Sequence, residues 1–464
     1  MRIKFMPLLS WHKRIPFSLR HWLIVIGLGY FAGRIAVNLV SMVDPERLVP
    51  ISAESIIQSI PFTLFLYLLG IVLVSLRQTP PNRISLFTIA FSLRVIIGIT
   101  LAFTFQYDDE RGFHEAGIEQ VYGLLSWGAG KGYYHLINIL YAIFGPNLLL
   151  PKAMNAFLGS LLPFFTYDLG KHFFDSKAGW HAFLFTAFLP PLVIFSAVNL
   201  KEIATALLLV LILWFLAIPR RNTDKIVGAL ISLSLLYWLR GTVLALVGVV
   251  GVITYIVLGE KVRLNQLLQL HLWLKIAFVV ALFVFFLRPV LIEPIIKITL
   301  NRMTRETYFV ERFVESQATI MRFVDVSGLL SPKNLIILFL RGLFSPSPLR
   351  FLFDRDLGTI IEALNTLVWY LLFPFAVISF LAERQKGAIL ACGVIILGVL
   401  AISTMGIMVG SDPYRHRMMM FGLLFSSAAG SLKWETFRRF RWIFYLWWIG
   451  AFMFIGVWIM FRVS

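Results

Sequence analysis

Apolar runs of roughly twenty residues recur along this chain from near its first residues to its last, and that recurrence decides what it can fold into. A helix needs around 20 apolar residues to cross about 30 Å of hydrocarbon, where every backbone polar group must be satisfied within the segment. Runs of this kind fall near 22–43, 56–76, 84–106, 149–170, 178–198, 202–218, 225–240, 242–258, 271–291, 359–382, 387–408, 416–432 and 441–461. They predict an all-α, polytopic transmembrane helical bundle of about 13 spans. The pair 225–240 and 242–258 also fits one bent element, which would change the count. Only 14% of the residues are charged, against about 25% in soluble domains. No soluble-looking block exceeds the stretch near 292–358, so residues 1–464 read as a single membrane-embedded domain with inserted loops.

The basic residues orient the bundle. Arg2, Lys4, Lys13, Arg14 and Arg20 precede the first run, which is longer than a signal-peptide core and has no A-x-A site after it, so it reads as a retained span. With that end inside, Arg77 and Arg83, Lys171 and Lys177, Arg220, Arg221 and Lys225, Lys261 and Arg263, Arg384 and Lys386, and Lys433 to Arg441 all fall on the same side. The opposite short loops are poorer in Lys and Arg, as the positive-inside rule requires. The formal charge of +18 is therefore assigned to topology and anionic lipid, with no nucleic-acid partner.

Two outer segments stand apart. Residues 107–148 are expected to form a first large outer loop with interfacial helices, since Tyr133–Phe144 within it is too short to span and too apolar to stay free. Residues 292–358 form a second outer region. Charges from distant parts of the chain then meet on the outer rim: Asp108, Asp109 and Glu110 after the third span, Lys201 and Glu202 in the NLKE turn, Arg240 at the end of the seventh, and Asp412, Arg415, His416 and Arg417 before the twelfth. Carboxylates facing Arg and Lys suit an anionic, phosphate-bearing substrate. Each also has a plainer reading: the acids as a solvated loop, Lys201 as a snorkelling helix end, Arg94 and Arg34 as partners of carbonyls or neighbouring helices. Gly29 and Gly33 read as close helix packing, and Pro190 with Pro191 as a break that either shapes a cavity or kinks the helix.

Several chemistries find no residues to carry them. There is no P-loop, no H-E-x-x-H, no G-x-S-x-G, and the single cysteine, Cys392, cannot form an internal disulfide.

The run YDDERGFHEAG, followed by GKGYYHLINILYAIFGPNLLLPKAMNAFLGSLLPFFTYDLGKHFFDSKAGWHAFLFTAFLPPLVIFSAVNLKE, resembles the N-terminal half of membrane GT-C glycosyltransferases. The likeness is to their bacterial branch, similar to protein mannosyltransferases and aminoarabinose transferases (glycosyltransferase family 39-like). The later segment DPYRHRMMMFGLLFSSAAG is similar to the "RYR…P…AA.G" stretch of that family. The resemblance covers about 105–220 closely and 340–432 loosely, and it rests on the order and spacing of individually weak motifs.

It implies a GT-C-like fold and a cell-envelope enzyme of polysaccharide biosynthesis, multi-pass in a bacterial inner membrane, with a cytoplasmic N-terminus and an outward active site. Such an enzyme transfers a sugar from a polyprenyl-phosphate-linked donor to a glycan, lipid or protein acceptor. Carried onto this chain, Asp108 or Asp109 would be the first-loop acid, as general base or metal ligand, and Glu202 a second acid. Lys201 with Arg240 or Arg415 would hold the lipid phosphate, with Arg417 and His114 in the substrate-binding set. A divalent metal (Mg or Mn) would sit on Asp109 and Glu202. The family has one Asp followed by Tyr where this chain has Asp-Asp-Glu followed by Phe113 and His114, so the choice of acid stays open. His416-Arg417-Met418 likewise replaces an apolar stretch. Two other functions fit the same topology. A polymerase or ligase of lipid-linked oligosaccharides would use Arg302, Arg305, Arg312 and Arg322 of the second outer region. A lipid or solute transporter would place polar groups and broken helices near the midplane.

Overall fold

The computed structural model describes residues 48–77, 80–119, 131–218, 223–224, 227–241, 243, 339–340, 342–352, 357–382, 392–393, 395–396, 400 and 413–463. Every regular element among them is a helix. In chain order these are α1 (Ala53–Ser75), α2 (Arg83–Thr104), α3 (Asp108–Ile118), α4 (Gly132–Phe144), α5 (Leu149–Phe173), α6 (Ser176–Phe188), α7 (Pro190–Phe195) and α8 (Glu202–Ala217). They continue with α9 (Val227–Gly241), α10 (Leu357–Ala382), α11 (Pro413–Met418), α12 (Phe421–Ser431) and α13 (Trp434–Val463).

Four helices, α1, α2, α10 and the Glu435–Met460 stretch of α13, are long and apolar enough to cross a membrane. The chain is therefore an integral membrane protein. The expected spans 22–43, 242–258 and 271–291 lie wholly or almost wholly outside the described residues, as do most of 387–408 and of the outer region 292–358, including Arg302, Arg305, Arg312 and Arg322. Gly29, Gly33, Arg34 and Asp412 fall outside them too.

The apolar faces fit lipid rather than water. On α1, Ile57, Ile60, Leu64, Phe65, Leu68 and Val72 are all exposed and run down one side of the helix. On α13, Trp442, Leu446, Ile449, Phe452 and Met453 do the same. Continuous apolar stripes of this size are aggregation surfaces in water and neutral in hydrocarbon.

At the centre lies α5, which packs against α1, α2, α6, α8 and α12. It is buried on nearly every side, as a helix apolar all round should be. Its crossing with α6 is close because Gly170 and Gly179 face each other there. A Cβ on Gly179 would lie 2.8 Å from the Tyr167 carbonyl oxygen, and one on Gly170 would lie 3.1 Å from that of Ala178.

The expected span 178–198 is not one helix. Leu189 is extended (ψ 137°), and the chain divides into α6 and α7 at Pro190. Pro190 and Pro191 have no N–H to offer the carbonyls four residues earlier, those of Thr186 and Ala187. Arg94, fully buried on α2, supplies the missing donors: Nη2 to Thr186 O and Nη1 to Ala187 O, both at 3.0 Å. The mid-span arginine and the double proline are thus one feature, and the carbonyl-partner reading of Arg94 is the one the geometry bears out.

Charges collect at the two ends of the bundle. At one end Arg77, just beyond α1, pairs with Asp168 of α5, which also accepts from Trp214 Nε1 of α8 at 3.0 Å. Lys433 pairs with Asp175 at 2.8 Å, before α6. The starts of α5 and α8 lie at the other end, where the residues expected on the outer rim meet.

Candidate functional site

Residues 107–148, expected as the first large outer loop with interfacial helices, hold two helices among the described residues: the acidic helix α3 and the apolar helix α4. Three acids in the first turn of α3 oppose the positive end of its dipole. Glu110 is the anchor among them. Its Oε1 accepts from the Tyr107 backbone N–H at 3.1 Å, and its Oε2 from the Asn199 N–H at 2.8 Å and Lys152 Nζ at 2.5 Å. Both members of this ion pair are buried, Glu110 at 0% and Lys152 at 2% exposure.

A second set of bonds holds the same turn from the other side. Asn155 Nδ2 on α5 reaches Val198 O at 2.6 Å and Leu200 O at 2.8 Å, and Tyr133 of α4 donates to Asn199 Oδ1 at 2.9 Å. The short turn 196–201 is therefore fixed by α3, α4 and α5 together. That turn delivers Lys201 and Glu202 to the start of α8.

Four distant segments converge there. Glu202 is 1% exposed, and its Oε1 lies 3.4 Å from Arg415 Nη2 on α11 and 3.8 Å from Arg240 Nη2 at the end of α9. Arg240 Nη1 also lies 2.6 Å from Met419 Sδ. The same Nη2 of Arg415 reaches Asp109 Oδ2 on α3 at 2.7 Å, and Asp109 is 54% exposed. Lys201 Nζ sits 5.9 Å from the ring centre of Phe113. Burial, helped by the nearby Arg240 charge, lowers the Lys201 pKa to about 8. The result is a cluster of cations around one fixed and one exposed carboxylate, open on the Asp109 side.

Of the remaining expected site residues, His114 and Arg417 stand apart from this cluster. The Asp108 side chain lies outside the described residues, although the residue itself opens α3. His114 is committed to packing: its Nδ1 is 2.6 Å from Tyr141 Oη of α4, and burial lowers its pKa against the opposing effect of Glu115. Arg417 is 1% exposed and lies 5.3 Å from the centre of the Trp369 ring on α10. It faces away from Arg415, as a separation of two helical positions requires.

The expected metal does not fit the described donors. A cation shared by Asp109 and Glu202 would need the place taken by Arg415 Nη2, and Arg240 and Lys201 add further positive charge. Among the described residues no three His, Cys, Asp or Glu side chains gather to hold an ion. The arrangement suits an anion.

The sequence offers Glu110 only as one of the rim acids and gives no site role to Lys152, Asn155, Asn199 or Tyr133. Lys152 alone carried a usable signal, because a lysine inside an otherwise apolar run needs a partner. The amides and the tyrosine look like ordinary helix residues. No family model matches this chain, and no curated protein or solved structure was found to be similar to it.

Proposed function

We propose that this protein is a membrane glycosyltransferase that moves a sugar from a polyprenyl-phosphate-linked donor to an acceptor hydroxyl at the outer face. One observation carries the proposal: Arg415 joins the exposed Asp109 of the first outer loop to the buried Glu202, with Arg240 beside it and Lys201 next in the chain. Sugar transfer from a phosphate carrier needs those parts in one place. A carboxylate takes the proton of the acceptor hydroxyl as its oxygen bonds to the anomeric carbon. The bond from that carbon to the phosphate oxygen breaks, and fixed cations receive the departing phosphate. Asp109 is the described carboxylate open to an acceptor; Arg240, Arg415 and Lys201 are the phosphate-holding groups. No step is routed through a metal, and turnover is expected to survive exhaustive chelation of divalent ions.

The transporter reading loses its main support at the broken helix. The carbonyls freed between α6 and α7 accept from the Arg94 guanidinium, whose positive charge disfavours a coupling cation there. The arginines that the polymerase or ligase reading would use, Arg302, Arg305, Arg312 and Arg322, lie outside the described residues.

The deciding experiment measures transfer of radiolabelled sugar from a panel of polyprenyl-phosphate donors in membranes, comparing wild type with Asp109→Asn, Glu202→Gln and Arg415→Gln. The proposal expects donor consumption by wild type and losses of at least about 100-fold in the first variant, the range for a positioned acid–base group. Normal turnover in all three variants would remove the cluster from the chemistry.

A further inference from the structure

The geometry assigns different tasks to the two carboxylates, an assignment that rests on the transferase reading. We propose that Asp109 is a displaceable counter-ion, holding the seat on Arg415 that the donor phosphate takes, while Glu202 is the fixed positioning residue that keeps Arg415 and Arg240 side by side.

Both carboxylates compete for a single nitrogen. Arg415 Nη2 is 2.7 Å from Asp109 Oδ2 and 3.4 Å from Glu202 Oε1, so the shorter bond goes to the more exposed acid. Glu202 cannot withdraw. It is 1% exposed, begins α8 immediately after the braced 196–201 turn, and lies between Arg240 and Arg415. Its Oε2 is buried without a hydrogen-bond partner, so the side chain is held by charge and packing rather than by a second bond. Asp109 is more than half exposed, so it can turn to solvent at little cost.

The charge balance favours the exchange. Among the described side chains, Arg240 and Arg415 pair with Glu202, Arg415 also pairs with Asp109, and Lys201 adds a third cation beside them. An incoming phosphate oxyanion brings more negative charge and more acceptor oxygens than one carboxylate, and can use the guanidinium fork more fully. Once displaced, Asp109 loses the cation that neutralised it and stands beside the bound donor as a free carboxylate. In this order donor binding itself prepares the proton acceptor, and the acceptor substrate meets an active base only when the donor is seated.

Calorimetric titration of the detergent-solubilised full chain tests this, with a short-chain isoprenyl monophosphate as probe and inorganic phosphate alongside to separate headgroup from tail. Asp109→Asn is expected to tighten monophosphate binding by about threefold to fivefold, the release of one exposed ion pair. Glu202→Gln is expected to weaken it, and Glu202→Asp, which keeps the charge in the buried position, to fall between. In an Arg415→Gln background the gain from Asp109→Asn should vanish. Unchanged or weaker binding by Asp109→Asn, with wild type still binding the probe, would overturn the counter-ion role and leave the transferase reading standing. Absence of binding by wild type and every variant would overturn both. Binding of inorganic phosphate with the same pattern places the seat in the headgroup alone; a pattern seen only with the isoprenyl compound adds the tail to recognition, and both support the exchange.

Discussion

Arg94 shows how a single charge can be required at membrane depth without doing chemistry. Its guanidinium replaces the two N–H groups that Pro190 and Pro191 lack, bonding to the Thr186 and Ala187 carbonyls. Arg94→Leu should lower the unfolding midpoint in detergent, at a cost of about 3 kcal/mol for two stranded carbonyls. Replacing Pro190 and Pro191 with alanine in that background should recover part of the loss, because the helix regains its own donors; no recovery would mean that Arg94 acts otherwise. The Glu110–Lys152 pair makes a second case. Lys152→Met leaves a buried carboxylate without its cation, and the expected destabilisation is about 3–5 kcal/mol in thermal or denaturant unfolding. Lys201 brings pH into the phosphate seat. Burial lowers its pKa to about 8, so it carries charge below that point and loses it above. Anion affinity should fall as pH rises through about 8, and Lys201→Arg, which stays charged, should flatten that dependence. A pH profile unchanged by Lys201→Arg would exclude the lysine from the seat.

At the scale of helices, close approach matters more than composition. Gly159 on α5 lies against the 196–201 turn, where an added Cβ would be 2.3 Å from the Ser196 Cβ and 3.0 Å from Arg94 Nε. Gly112 on α3 has nothing within 4 Å of that position. Gly159→Ala should therefore destabilise the fold and disturb the site, while Gly112→Ala should be neutral or stabilising by up to about 1 kcal/mol, the helix-propensity gain. Equal midpoints for the two variants would argue against the close packing of α5 and the turn. These helices also show what could be read in advance. Tyr133–Phe144, Ala53–Ser75 and Leu357–Ala382 appear close to their expected bounds because hydropathy alone sets them. The division of 178–198 was visible in Pro190 and Pro191, but Arg94 as its complement was not, since nothing local links residues so far apart. The place of the helix α3 within its loop is hidden for a different reason: its acids look like a solvated loop until Glu110 is seen to bond the Asn199 N–H and Lys152. Of the rim residues, Asp109, Lys201, Glu202, Arg240 and Arg415 meet as topology predicts, whereas His114 and Arg417 are drawn off by Tyr141 and Trp369.

For the whole molecule, the outward-facing stripes of α1 and α13 and the opposed clusters at the bundle's ends fit a membrane between them. The proposed orientation can be checked by labelling. Cys392 is buried, its Sγ 3.2 Å from Ser427 Oγ, so background reaction is expected to be low. A cysteine at Arg111 should react with an impermeant maleimide from outside, and one at Lys177 only after permeabilisation; the reverse pattern would invert the topology. Above these stands the claim that Asp109, Glu202 and Arg415 form one phosphate-handling centre. The most direct measurement is sugar release from a polyprenyl-phosphate donor by purified wild type and Asp109→Asn at matched fold stability. Donor consumption by wild type, with loss of turnover in Asp109→Asn despite undiminished donor binding, is the predicted result. Equal turnover in the two proteins, or a wild type that consumes no donor across the panel, would contradict it.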